Sequence, residues 1–428
     1  MRIMSSFKKS ELRRNFLILS SGTALSEIIP VLASPILTRL YTPEEFGVFM
    51  FYFTIAGVLS SVSMGKYETA IVLPKKNIDG TIMVSIGLVL SVLSGIFLSL
   101  IFVFFHSELL NLFNLTEIEQ KPALGLIIFL MLSYNVYIVF DNWLNRVENF
   151  SLMAKGKVMQ KSITIIISLA LSSLGHFALS IGRIIGQTLT AIVFWAKSRD
   201  VKWNQSGYKN AISELKRVAV EYNHFPLYLL PSSLANKFSN NIPNLLLGKY
   251  FSFDVTGYYA WSFRIIGSPM NIITSSISKL LYSKTTELNN ANKSLLPIVR
   301  STYIKMAAAA TIPFLLLGVF APEIFGFVFG KDWVIAGVYT QLLMPWLFMV
   351  FLNNPVSVIF LVLKKQKQLF RYEFVLLLAR LCAFFVGALV FKSQMITIGL
   401  YSAVGFVFSL FLLFYTINLA KYSGREMD

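Results

Sequence analysis

Lys237, Asn240, Asn241 and Asn244 stand at i, i+3, i+4 and i+7 within the largely apolar stretch 226–248. That spacing places all four on one face of a helix. A second stripe, Arg264, Ser268, Asn271, Ser275 and Ser278, runs along 256–278. Glu27 lies with Thr23, Ser34 and Thr38 in 15–38, and the next apolar stretch offers Thr54, Ser61 and Glu68. Arg183 and Arg380 are the other cations set in apolar sequence. A charge at the centre of a bilayer-spanning helix costs roughly 2.5–3.5 kcal/mol on insertion scales, so such groups face a wet cavity or a partner rather than lipid. Lysine and arginine can replace the hydration of an anion. Lys237, Arg264, Arg183 and Arg380, with Asn240, Asn241, Asn244, Asn271 and the acid Glu27, therefore form the candidate lining of a binding cavity. The hydroxyl residues suit a dry helix–helix seam equally well, and Arg183, near an outer edge, can snorkel.

Bond-breaking chemistry has no comparable signature. There is no GxxxxGK[ST] phosphate loop, no G-x-S-x-G elbow and no HExxH pair. His106, His176 and His224 are far apart, without carboxylates at ligand spacing, and Cys382, set in an apolar run, reads as a small core residue. The expectation is a protein that is not an enzyme, with no metal or cofactor. Its energy would come from the membrane potential, from the substrate's own concentration drop, or from coupling to a proton or cation gradient.

The elements that must position these residues are membrane helices. Of 428 residues, 55% are hydrophobic and only 14% charged, against about 25% charged in a soluble domain. Runs such as 81–105 and 396–420 exceed the ~20 residues that cross a bilayer, and the alternation of barrel strands is missing. Hydropathy broken at charge and proline gives twelve spans: 15–38, 46–65, 81–105, 122–142, 158–175, 177–196, 226–248, 256–278, 303–321, 334–361, 372–391 and 395–418. An all-α polytopic membrane protein follows, with an amino-terminal lobe at 1–200, a basic linker at 201–225 and a carboxyl-terminal lobe at 226–428.

The 38 Lys and Arg sort by side. The tails and the 2–3, 4–5, 6–7, 8–9 and 10–11 loops hold 29, the opposite loops hold 5, and the last four are the embedded cations. Under the positive-inside rule both termini are cytoplasmic. The start "MRIMSSFKKSELRRNF" reads as a cytoplasmic tail leading into the first span, not a removed signal peptide. The net charge of +17 then meets anionic lipid at the inner leaflet, and no nucleic-acid partner is needed.

A stretch of sequence returns at an offset of 210. "RLYTPEEFG" (39–47) lies over "KYFSFDVTG" (249–257) without a gap, pairing Arg39 with Lys249, Glu44 with Asp254 and Gly47 with Gly257. Both copies join spans on the outer side. Six helices per half give the halves one orientation, related by an axis along the membrane normal. The polar knot itself reads as a tight turn, with Pro43 opening the next helix and Glu44 and Glu45 favouring its positive end. At the same offset Glu27 lies over Lys237, which suggests an ion pair across a central cleft.

The segment "NFLILSSGTALSEIIPVLASPILTRLYTPEEFGVFMFYFTIAGVLSSVSMGKYETAIVLPKK" (15–76), with "WLNRVENFSLMAKGKVMQ" (143–160) and "GRIIGQ" (182–187), resembles Wzx-type O-antigen and polysaccharide-unit flippases of the multidrug/oligosaccharidyl-lipid/polysaccharide exporter superfamily. The resemblance implies two six-helix lobes around a central cavity, alternating in access. The implied partner is an undecaprenyl-pyrophosphate-linked oligosaccharide moved from the cytoplasmic to the outer leaflet of the bacterial inner membrane, alongside membrane lipid and other polysaccharide-assembly proteins. The family's cationic cavity would be supplied here by Lys237 and Arg264. The alternatives are a multidrug exporter of organic cations, which wants acidic lining residues, a peptidoglycan-precursor flippase, and a membrane-embedded glycan polymerase, which needs a larger outer domain.

Overall fold

A computed structural model describes residues 2–105, 107–108, 123–198 and 211–422. Among them there is no strand, and twelve helices reach twenty residues or more. These are α1 (Arg2–Leu40), α2 (Pro43–Ser63), α3 (Asn77–Phe104), α4 (Ala123–Arg146), α5 (Phe150–Ala170), α6 (His176–Lys197), α7 (Leu230–Tyr250), α8 (Phe253–Asn290), α9 (Leu296–Phe329), α10 (Val334–Val356), α11 (Gln366–Phe385) and α12 (Gln394–Tyr422). Nine of these described helices are long and apolar enough to cross a membrane. The three that fall short are α5, α7 and α8, and the reason is local. They carry Lys155, Lys157 and Lys161, then Lys237 with its asparagines, then Arg264 with its serines. The chain is a multi-pass membrane protein, and two of its three least apolar helices, α7 and α8, carry the polar stripes that begin at Lys237 and Arg264.

By internal contacts the chain divides into Met1–Gly257 and Tyr258–Asp428. The division falls inside α8, because α7 packs on α2. The sequence boundaries at 201–225 follow loop charge instead; residues 201–210 lie outside the described residues, and 211–221 form a short helix.

The polar knot is a helix-to-helix turn. Thr42 caps α2 through a reciprocal pair: its Oγ1 accepts from Glu45 N at 3.2 Å, while Glu45 Oε2 accepts from Thr42 N at 2.8 Å. Pro43 takes the first helical position, where its missing N–H is no loss. The returning copy keeps the register. α1 ends at Leu40 and α2 begins at Pro43, while α7 ends at Tyr250 and α8 begins at Phe253, each 210 residues on. The first turns of α2 and α8 meet at Gly47 and Gly257, where a Cβ on Gly47 would collide with the Phe253 carbonyl and one on Gly257 with the Pro43 carbonyl.

Small residues set the other close approaches in the first unit. Gly182 and Gly186, the glycines of "GRIIGQ", lie against the Thr164 carbonyl and the Gln160 carbonyl of α5, the small-xxx-small packing of membrane helices. Buried Asn135 on α4 accepts from Ser60 Oγ at 2.6 Å and donates to Ser63 Oγ at 2.8 Å and Ser91 Oγ at 2.9 Å, tying α2, α3 and α4 together. The second unit has its own core. Trp261, Phe329 and Trp333 pack ring on ring, and Asn353 links Tyr303 Oη at 2.9 Å to the Ser409 carbonyl at 2.7 Å. Cys382 is exposed on the bundle rather than set in the core; in a membrane chain an apolar outward position faces lipid, so its hydrophobic surroundings in sequence did not imply burial.

Candidate functional site

The first unit holds a recess of about 290 Å³ lined by Phe53, Thr54, Ala56, Gly57, Val58, Leu130, Tyr134, Arg183, Lys237 and Asn241. α2 supplies one wall, and Gly57 leaves space beside its own carbonyl, since nothing stands within reach of a Cβ there. α4 contributes Tyr134, α6 contributes Arg183, and the polar stripe of α7 contributes Lys237 and Asn241. Two of the four embedded cations are thus brought together.

Neither cation meets a carboxylate in an ion pair among the described residues. Lys237 Nζ donates to the Gly57 carbonyl at 2.7 Å and lies 5.8 Å from the Tyr134 ring centre. Asn241 Nδ2 donates back to the Lys237 carbonyl at 2.9 Å. Arg183 stacks over Phe53 at 4.9 Å, and its Nε is buried with no hydrogen-bond partner among the described residues. Stacking covers a guanidinium's face and leaves its in-plane donors for an acceptor. Two cations beside amide and hydroxyl groups, with no acid on the lining, make a recess that suits an anion rather than a cation.

The other predicted residues lie elsewhere. Glu27 does not reach Lys237: its Oε1 is 3.3 Å from Lys161 Nζ on α5, and Lys157 Nζ donates to Thr23 Oγ1 at 3.2 Å. The expected pair fails because α1 packs its polar face on α5, with Gly22 against Ala154. Asn244 is buried, and the side chain of Asn240 lies outside the described residues. In the second unit, Arg264 lies 6.0 Å from the Trp261 ring, and Asn271 is exposed. Arg380 is buried between Trp346 and Tyr401, 4.2 and 5.0 Å from the ring centres. Glu68 is not in the second span; it belongs to the one-turn helix Tyr67–Ala70 beyond α2. Sequence reasoning missed Tyr134, an aromatic residue in an apolar helix with no signal of its own. It also missed Lys157 and Lys161: the span read as 158–175 begins at Phe150 in the structure, which puts both lysines on α5 beside Thr23 and Glu27. The groups of three or more His, Cys, Asp or Glu that hold metals are not found among the described residues.

Comparison with known proteins decides the family. The model of a family described as polysaccharide biosynthesis protein matches residues 36–338. The chain belongs to that family. Among curated proteins, the teichuronic acid biosynthesis protein TuaB of Bacillus subtilis (strain 168) is 25% identical over 256 residues, 56% of this chain. The chain spans about half the length of that relative. Among solved structures, the lipid II flippase MurJ in an inward closed conformation superposes with a TM-score of 0.66 at 18% identity, over 96% of this chain and 91% of its own. An inward-facing MATE family multidrug transporter of the MOP superfamily gives 0.55 at 12% identity, over 96% and 95%. The fold is thus the one shared by these two solved structures, over 96% of the chain in each case.

Proposed function

We propose that this polysaccharide biosynthesis protein is a flippase that carries an undecaprenyl-pyrophosphate-linked oligosaccharide from the cytoplasmic to the outer leaflet, for O-antigen or another surface polysaccharide. The observation that carries the reading is the sign of the recess: Arg183 and Lys237 line it, and no carboxylate does among its described lining residues. A pyrophosphate does not cross ~30 Å of hydrocarbon unaided, and guanidinium and ammonium groups offset the loss of its hydration. With the cell interior negative, outward movement of an anion is favoured by about 2.3 kcal/mol per charge per 100 mV.

Alternating access about the repeat would move the headgroup between leaflets, and the matched helix ends at 40/43 and 250/253 support such a repeat. The distribution of Lys and Arg supports cytoplasmic termini in a bacterial inner membrane. Membrane-bound polysaccharide-assembly proteins would receive the product. An exporter of organic cations would need acids where this recess has Arg183 and Lys237.

The test is deletion of the protein in its host with the lipid-linked units assayed by amount and leaflet. The reading expects units to accumulate on the cytoplasmic leaflet while surface polysaccharide falls. Units that reach the outer leaflet normally, with organic cations building up in the cell, would reject it.

A further inference from the structure

The loop after α2 folds into the first unit instead of lying over it. Gly65 and Lys66 both adopt left-handed backbone, at φ +56° and +67°, and for a lysine that conformation has a real cost. The turn drives Tyr67–Ala70 inward, so that Ala70 and Ile71 are fully buried. Tyr67 Oη donates to the Ala219 carbonyl of the short helix Ala211–Glu221 at 2.9 Å. Glu68, on the same turn, is 4% exposed. Its Oε1 lies 3.4 Å from Lys66 Nζ, and its Oε2 is buried with no hydrogen-bond partner among the described residues.

A buried carboxylate with one bare oxygen is a costly arrangement unless the group also exists as the neutral acid. We propose that Glu68 is a proton-binding site whose occupancy sets the net charge in the neighbourhood of Lys237, one of the two recess cations. When Glu68 is ionised it balances Lys66. A proton taken from water converts it to a neutral acid, with Oε2 the open position, and Lys66 is then left as an uncompensated cation. Lys66 and Glu68 both act electrostatically on Lys237, so proton uptake strengthens the recess for an anion. By linkage an anion in the recess promotes proton uptake to the same degree.

The groups around Glu68 are few. Lys66 stands in its own loop, Lys237 on α7 and Tyr134 on α4. On the elements packed against it, Arg146 is engaged with the Ile71 and Lys76 carbonyls and Asp79 with Arg217, while Asp141 on α4 has a buried Oδ1 with no hydrogen-bond partner among the described residues and feels Lys157 only electrostatically. His224, before the turn Phe225–Leu229, is exposed beside the Tyr222 ring. Burial pushes the Glu68 carboxyl up, and Lys66 pulls it part of the way back.

The inference rests on the recess as an anion site, but its test needs no transported lipid and fails separately from that reading. Infrared titration of the full chain in lipid vesicles reads the carbonyl stretch of a protonated carboxyl. The expected result is, within the band that all 21 Asp and Glu feed, a component that appears above the pH range in which exposed carboxyls protonate, is missing in E68Q, and titrates at higher pH in K66N, where asparagine keeps the left-handed turn and removes the charge. The K66N comparison stands even if E68Q does not fold. Absence of such a component in the wild type, or a midpoint that K66N leaves unmoved, would overturn the assignment.

Discussion

Gly47 and Gly257, which align at an offset of 210 residues, pack against each other's helices reciprocally: each faces the carbonyl four residues before the other, Phe253 for Gly47 and Pro43 for Gly257. The contact is reciprocal and brings the first turns of α2 and α8 backbone to backbone. Phe51 continues the seam, with its ring edge-on to Phe253 at 5.4 Å. The polar knot is therefore a helix junction whose glycines let two equivalent helix starts touch.

An added methyl at either glycine must force these backbones apart. Gly47→Ala and Gly257→Ala are each expected to cost about 1–3 kcal/mol, the usual range for overpacking. The double variant should cost less than the two together, because both methyls open one contact. Thermal unfolding of the purified variants checks this; full additivity would place the glycines in separate contacts.

The recess cations should be needed together. Lys237→Gln or Arg183→Gln removes a charge-assisted contact worth roughly 1.5–3 kcal/mol, a tenfold or greater loss of affinity for an anionic headgroup. Arg183→Lys should recover only part of it, because an ammonium lacks the planar fork. Binding of a pyrophosphate-linked lipid to the purified variants reads the loss directly.

Glu27 and Lys161 should couple, and Glu27 and Lys237 should not. A double-mutant cycle on unfolding stability is expected to give about 1 kcal/mol or less for the partly exposed first pair. It should give nothing for the second. Rescue of Glu27→Lys by Lys237→Glu would contradict the observed packing of α1 on α5.

Asn135 is the hub of a buried polar network, and Asn135→Ala leaves Ser60, Ser63 and Ser91 short of partners. The expected cost is about 1–3 kcal/mol of stability, with the binding affinity of the folded fraction unchanged. Comparison of unfolding with ligand binding separates the two effects.

For Glu68 the pH dependence has a definite sign. Its carboxyl is raised in the folded state, so the native chain holds the proton more tightly than the unfolded chain. The associated stability is present below the unfolded carboxyl's pKa and is lost as pH rises through the folded value. Glu68→Gln should flatten that slope in unfolding measured against pH.

Much of the architecture was legible in the residues. The turn at Thr42–Pro43 is written in capping chemistry that works over four residues, and the short link between α5 and α6 is a 3-10 turn, Ser172–Leu174, closed by Gly175 at φ +58°. The stripe on α7 was readable because helical spacing alone puts Lys237 and Asn241 on one face. The pairing of Glu27 was not, because the choice between Lys161 and Lys237 depends on which helix α1 packs against. Cys382 shows the same limit, since an apolar run does not say which side meets lipid and which meets protein. The inward fold of Glu68 rests on two left-handed residues, one of them a lysine, and no local pattern announces it.

The most direct measurement places the purified full chain in liposomes with a fluorescent undecaprenyl-pyrophosphate-linked oligosaccharide and follows its protection from an external quencher. The account predicts that the labelled lipid exchanges between leaflets in the presence of the wild-type protein and stays in its leaflet with the Arg183→Gln, Lys237→Gln double variant. Exchange at the wild-type rate by a folded double variant, or no exchange by a wild-type protein that binds the lipid, would contradict it.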